Sequence, residues 1–207
     1  ISHAIRLCKD FIGDDKFIVY LGDNVLRKNL IDYTKKFQTS NSDAMILLCK
    51  VDDPQRFGIA ELDKDNLGKI KKIMEKPKDP PSNLAVIGIY FLTPKIFGVI
   101  DRLKPSWRGE FEITEALQML MDDGDEIEYD TVTGWWKDTG TPEDIIHANK
   151  LVLDSIGTEN QFLIDDNAKI TNNIVIGVGT TISPDSIIIG PVIIGKNCTI
   201  SNGVQLG

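Results

Sequence analysis

The chain has 207 residues, with 23 Lys+Arg against 31 Asp+Glu, a formal net charge of −8, and 42% hydrophobic residues. That is globular composition with enough chain for a real core, and it corresponds to one domain or two small ones. The acidic balance excludes a nucleic-acid or membrane-surface binder, which needs a basic face for phosphates or head groups, so any phosphate site must be a local cluster.

No run of about 18 apolar residues and no charged-then-apolar leader occurs, so no membrane span or secretion signal is expected. Cys8, Cys49 and Cys198 form no C-x-x-C pair. They are expected to be reduced, buried thiols of a cytoplasmic protein rather than a disulfide framework or zinc site.

Residues 16–21 (Lys-Phe-Ile-Val-Tyr-Leu) form a short apolar run ending at Gly22-Asp23-Asn24, which reads as a buried strand delivering an acid at its C-terminal end. Helical spacing follows through Leu26, Leu30, Tyr33 and Phe37, and residues 44–49 read as another buried strand. Residues 57–62 and 70–74 flank Asp63-Lys64-Asp65-Asn66-Leu67-Gly68 as a hairpin or strand pair. Residues 85–92 predict a strand, 94–103 a helix with Pro94 near its first turn, and 113–121 a further helix. The last helix begins at Thr141-Pro142-Glu143-Asp144, with Thr141 as N-cap, Pro142 at the first helical position and acids complementing the dipole. This alternation predicts a three-layer, Rossmann-like α/β domain over residues 1–157, with ligands outside the carboxyl ends of the strands.

A six-residue repeat then takes over, with Ile164, Ile170, Ile176, Ile182, Ile188, Ile194, Ile200 and Leu206 in one phase. A second, mostly small position comes four residues later: Ala168, Ile174, Thr180, Ser186, Val192, Cys198 and Val204. A strand–turn unit this short buries its apolar side only by stacking on its neighbours. The pattern predicts a left-handed parallel β-helix of hexapeptide repeats over residues 158–207. A β-sandwich would instead show period-two alternation with irregular turns. The repeat is still in phase at Gly207, so the solenoid is expected to continue.

Two strand-end acids stand out: Asp23, and Asp138 in Trp135-Trp136-Lys137-Asp138-Thr139-Gly140-Thr141. Carboxylates at one rim of a sheet can hold Mg²⁺, a hard cation that shares its remaining positions with substrate phosphates; they can equally cap turns. In Glu75-Lys76-Pro77, the proline is expected to hold Lys76 extended and projecting from a stiff turn. Lys76 then suits a phosphate, and Glu75 can accept hydrogen bonds from hydroxyls; a solvated loop remains the alternative. Arg108-Gly109-Glu110-Phe111-Glu112 adds a cation that either grips a phosphate bidentately or pairs with its acidic neighbours. Both histidines, His3 and His147, lie outside the repeats, which leaves no imidazole base there.

Six segments occur in an order that resembles the nucleoside-diphosphate-sugar pyrophosphorylases, in particular their glucose-1-phosphate thymidylyltransferase branch in a long form with a β-helix tail. They are Tyr20-Leu21-Gly22-Asp23-Asn24, Phe57-Gly58, Glu75-Lys76-Pro77, Ser82-Asn83-Leu84-Ala85-Val86-Ile87-Gly88-Ile89-Tyr90-Phe91, Arg108-Gly109-Glu110-Phe111-Glu112-Ile113-Thr114 and Trp136-Lys137-Asp138-Thr139-Gly140-Thr141. The resemblance implies that Asp23 and Asp138 hold Mg²⁺. Lys76 and Arg108 would hold the phosphate of a sugar 1-phosphate as catalytic residues, while Gly58, Glu75, Val86 and Trp136 would line the sugar pocket. It further implies in-line attack of a sugar phosphate oxygen on the α-phosphorus of a nucleoside triphosphate, with pyrophosphate leaving. The nucleophile is already an anion, so positioning and charge neutralisation suffice. The stretch Glu110-Phe111-Glu112-Ile113-Thr114 leans toward thymidylyl transfer and dTDP-glucose.

The family's glycine-rich loop, G-G-x-G-T-R-L, is absent from these residues, and the only G-x-G is Gly177-Val178-Gly179. The expectation is a chain truncated at both ends, without turnover by itself. Three other readings stay open. An aspartic protease would need a second Asp-Thr-Gly besides Asp138-Thr139-Gly140. A bifunctional uridylyltransferase/acetyltransferase would place its acyl-transfer residues beyond Gly207. A non-catalytic sugar-phosphate-binding or assembly subunit would use the repeats for contacts, and the β-helix makes a homo-oligomer the expected state.

Overall fold

The computed structural model describes residues 1–66, 68–156 and 168–207, which form two compact units, Ile1–Asp138 and Thr139–Gly207. Leu67, Ile164 and the expected domain boundary at 157/158 lie outside the described residues.

In chain order the first unit contains α1 (Ser2–Leu7), α2 (Lys9–Ile12), β1 (Phe17–Tyr20), β2 (Asn24–Leu26), α3 (Ile31–Thr39), β3 (Ala44–Lys50), β4 (Gly58–Leu62) and β5 (Ile70–Glu75). There follow β6 (Leu84–Leu92), α4 (Lys95–Ile100), α5 (Ile113–Asp122), β7 (Ile127–Thr131) and β8 (Trp136–Asp138). The sheet is mixed, in the order β5-β4-β6-β3-β7 with β1 also on β6. β3 runs antiparallel to β6 and parallel to β7.

Near-continuous apolar runs at β3 and β6 mean that both faces of these strands are buried. Ala44, Ile46, Leu48, Val86, Tyr90 and Leu92 enter one core, with Ile96 and Phe97 of α4 and Ile113, Ala116, Leu117 and Leu120 of α5. The intervening Met45, Leu47, Ile87, Ile89 and Phe91 enter a second core, against Tyr33 and Phe37 of α3. Helices therefore cover both faces, giving the expected three layers. On α5 the i, i+3, i+4, i+7 spacing is the inward stripe of an amphipathic helix.

Two local expectations are corrected, for Leu26 and for the cysteines, and one strand, β7, is additional to those expected. Leu26 lies in a strand, not a helix, because the 24–26 backbone pairs with β8 (Asn24↔Asp138, Leu26↔Trp136). The helix starts at Ile31, whose N–H is taken by Asn29 Oδ1 at 3.0 Å. The strand β7 (Ile-Glu-Tyr-Asp-Thr) has too little apolar periodicity to announce itself and owes its place to parallel pairing with β3. The cysteines are free as expected, but Cys8 is exposed and Cys49 and Cys198 are only half-buried. Among the described residues, no helix is long and apolar enough to cross a membrane.

The second unit opens with α6 (Pro142–Asp154), whose Thr141 side chain accepts from Asp144 N–H at 3.2 Å, the expected cap. Then come β9 (Lys169–Thr171), β10 (Ile174–Ile176), β11 (Thr181–Ile182), β12 (Ile187–Ile189), β13 (Val192–Ile194), β14 (Thr199–Ile200) and β15 (Gln205–Leu206). These strands fall in rotation into three parallel sheets, β9-β12-β15, β10-β13 and β11-β14. Ile170 pairs with Ile188 and Ile188 with Leu206, so three six-residue repeats return the chain to the same sheet. Ile170, Ile176, Ile182, Ile188, Ile194, Ile200 and Leu206 all point into one core. Two buried hydroxyls are satisfied across successive three-repeat turns: Thr180 Oγ1 donates to Gly195 O at 2.7 Å, and Ser186 Oγ lies 3.1 Å from Ser201 O.

Candidate active site

All eight residues singled out above, Asp23, Gly58, Glu75, Lys76, Val86, Arg108, Trp136 and Asp138, line one cavity of about 240 Å³ in the first unit. Asn24, Arg56, Phe57, Gly88, Tyr90, Glu110, Glu112 and Thr114 line it with them.

The floor is β6. Val86 and Tyr90 share one face of this strand, and Gly88 between them leaves a gap that the Asn24 side chain fills. A Cβ on Gly88 would stand 2.5 Å from Asn24 Nδ2. The Asn24 amide is buried, and its oxygen accepts from Gly88 N–H at 3.0 Å and from Trp136 Nε1 at 2.7 Å. Its nitrogen donates to Asp23 Oδ1 at 2.7 Å. One side chain thus ties an acid, the pocket tryptophan and the sheet together. Asp23 and Asp138 come to adjacent strand ends because Asn24 is the register partner of Asp138.

Opposite them, the end of β5 carries Glu75 and Lys76. Lys76 is not extended as the following proline suggested: its φ is +38°, in the left-handed region. Its N–H donates to Phe57 O at 3.1 Å, continuing the β4–β5 ladder past Gly58↔Glu75, and this bond holds the strained residue in place. Glu75 Oε2 accepts from Thr114 Oγ1 at 2.8 Å and Oε1 meets Arg108 Nη1 at 3.2 Å. Burial raises the Glu75 pKa; the Thr114 bond opposes this, the Glu112 charge adds to it, and Lys76 and Arg108 oppose it. Tyr90 is also pushed up, by burial and then by the Glu75 and Asp23 charges.

Arg108 meets three carboxylates: Glu75, Glu110 (3.2 Å) and Glu112 (3.4 Å). Glu112 is itself held by Ser106 Oγ at 3.0 Å. Both readings of Arg108 therefore keep their ground, since it lines the cavity and also pairs with its acidic neighbours.

Sequence reasoning assigned no role to Asn24, Arg56, Gly88, Tyr90, Glu112 or Thr114. Most of them stand in the matched segments, but nothing in their spacing distinguishes them from turn or core residues. The protease reading lacks its all-β frame, because Asp138 stands in a mixed α/β unit.

Among the described residues there is no group of three or more His, Cys, Asp or Glu able to hold a metal. Two carboxylates at one rim nevertheless match Mg²⁺, which takes one or two carboxylates and completes its shell with water and phosphate.

A mixed sheet with helices on both faces, and a cavity of carboxylates and cations at its strand ends, defines an α/β protein with a charged, polar cavity of small-molecule size. The nucleotidyl transferase family model matches residues 1–155, and the chain belongs to that family. Within the family it is similar to glucose-1-phosphate thymidylyltransferase of Streptomyces antibioticus, at 39% identity over 98% of this chain and 56% of the relative. The low-salt glycan biosynthesis nucleotidyltransferase of Haloferax volcanii is 45% identical over 84% of this chain and 48% of its own length. A crystal structure from Bacillus anthracis, assigned as a glucose-1-phosphate thymidylyltransferase and holding a sucrose, superposes with a TM-score of 0.67 at 41% identity, covering 77% of this chain and 63% of that one. The chain spans about half the length of these curated relatives.

Proposed function

We propose that this chain carries the sugar-phosphate site of a Mg²⁺-dependent nucleotidyltransferase. The reaction joins a nucleoside triphosphate and a sugar 1-phosphate into a nucleoside-diphosphate sugar, with dTDP-glucose as the product, and releases pyrophosphate. The observation that carries the reading is the convergence of all eight residues on one cavity.

In this reading Lys76 and Arg108 hold the phosphate of the sugar 1-phosphate. Glu75 accepts hydrogen bonds from sugar hydroxyls, and Gly58, Val86 and Trp136 shape the sugar pocket. Arg108 releases Glu110, the most exposed of its three partners, when phosphate arrives. The phosphate oxygen is already an anion, so the residues orient it for in-line attack on the α-phosphorus without a general base. Asp23 and Asp138 would hold Mg²⁺, which neutralises charge on phosphoryl oxygens when bound. The repeats of the second unit form a left-handed β-helix that assembles copies into a homo-oligomer, and the protein works in the cytoplasm, where nucleoside triphosphates are available.

Calorimetry tests the reading. The protein binds glucose 1-phosphate, and Lys76→Ala or Trp136→Ala weakens it at least tenfold; equal affinity in all three proteins overturns the proposal. Pyrophosphate release with dTTP against UTP decides the base.

A further inference from the structure

We propose that Arg56 is a phosphate-gripping residue of this site, whose guanidinium works beside the Lys76 ammonium on phosphoryl oxygens of the sugar 1-phosphate or of pyrophosphate. This rests on the sugar-phosphate reading above. Arg56 lines the cavity and ends the 3₁₀ turn Pro54–Arg56 directly before β4. The hydrogen bond from Lys76 N–H to Phe57 O carries the strand end bearing Lys76 to the residue next to Arg56, so the two cations share one rim.

Three observations separate Arg56 from an ordinary surface arginine. Its guanidinium lies over the Phe57 ring, 5.8 Å from the centroid, and that ring is fixed edge-on against Trp136 at 5.5 Å. That contact steadies a flexible side chain whose guanidinium carries several N–H donors suited to an anion. Next, Arg108 meets three carboxylates, whereas neither Arg56 nor Lys76 has an ion pair among the described residues. The nearby Asp53 uses its backbone carbonyl, not its carboxylate, on Arg56, accepting from its N–H at 3.2 Å. Finally, five carboxylates line the cavity (Asp23, Glu75, Glu110, Glu112, Asp138) against three cations. A phosphate entering so acidic a site needs cations that are not already held in carboxylate ion pairs, and Arg56 and Lys76 are those two.

The test is calorimetry of glucose 1-phosphate, pyrophosphate and plain glucose on the wild-type protein and on Arg56→Gln, Arg56→Lys and Lys76→Ala. Arg56 is exposed, so its variants keep the fold, which circular dichroism checks. Arg56→Gln should weaken the gripped phosphate about tenfold and Arg56→Lys less, with glucose unchanged. Loss for glucose 1-phosphate alone assigns the sugar phosphate, and loss for pyrophosphate alone assigns the leaving group; either supports the proposal. If Lys76→Ala weakens binding and Arg56→Gln does not, Arg56 has no such role and the sugar-phosphate reading stands. If Lys76→Ala changes nothing either, both fall.

Discussion

Alanine at Gly58 adds one methyl group where the structure has no room. The new Cβ would stand 2.5 Å from Thr114 Cγ2, 3.4 Å from Glu75 Oε2 and 3.8 Å from Met74 O. The Thr114 methyl must move, yet Thr114 is 2% exposed and β-branched, and its hydroxyl is held by Glu75 at 2.8 Å. Rotating the methyl away swings the hydroxyl off Glu75, so the clash and the hydrogen bond cannot both be satisfied. Overpacking of this kind costs about 1–3 kcal/mol, and the lost bond to a charged acceptor adds to it. Thr114→Ser removes the offending methyl and keeps the hydroxyl, so the pair forms a double-mutant cycle. Urea denaturation should show Gly58→Ala destabilising by about 2 kcal/mol alone and by less than about 1 kcal/mol in the Thr114→Ser background, a coupling within the range for residues in contact. Equal destabilisation in both backgrounds refutes the reasoning.

Two further outcomes follow from the same geometry. Burial holds the Glu75 pKa above its ordinary value in the folded state. Its contribution therefore favours folding below the ordinary carboxylate range of about 4 and is lost as pH rises through the raised value. Urea titrations across this window should show the unfolding free energy of Glu75→Gln gaining on wild type as pH rises, and a pH-independent difference contradicts the assignment. In the second unit, Ile188 is fully buried while its neighbour Ile189 is 41% exposed. Ile188→Ala should cost about 2–5 kcal/mol and Ile189→Ala under about 0.5 kcal/mol. Hydrogen exchange of the repeat backbone measures this, and similar effects from both substitutions would place the repeat phase wrongly.

Much of this protein was legible along the chain. Side-chain direction follows backbone period, so the six-residue phase marked the interior of the second unit from Ile170 to Leu206. The continuous apolar runs at β3 and β6 marked strands buried on both faces for the same reason. The ordered segments, through the family they resemble, named the eight residues that meet in the cavity, and only some of these, such as Asp23 and Lys76, stand at strand ends or turns that local pattern reveals. Tertiary structure alone decided what those residues touch. Pairing of β2 with β8 brings Asp138 beside Asp23 and makes a strand of Leu26, and no period in either segment announces a partner so distant in sequence. The same pairing buries Asn24 and turns a turn-like asparagine into the common partner of Asp23, Gly88 and Trp136. Lys76 is left-handed because the β4–β5 ladder holds its N–H, overriding the preference that Pro77 imposes. Local preference is written in neighbouring residues, whereas a hydrogen-bond partner across the sheet is chosen by which strands bury their apolar faces together.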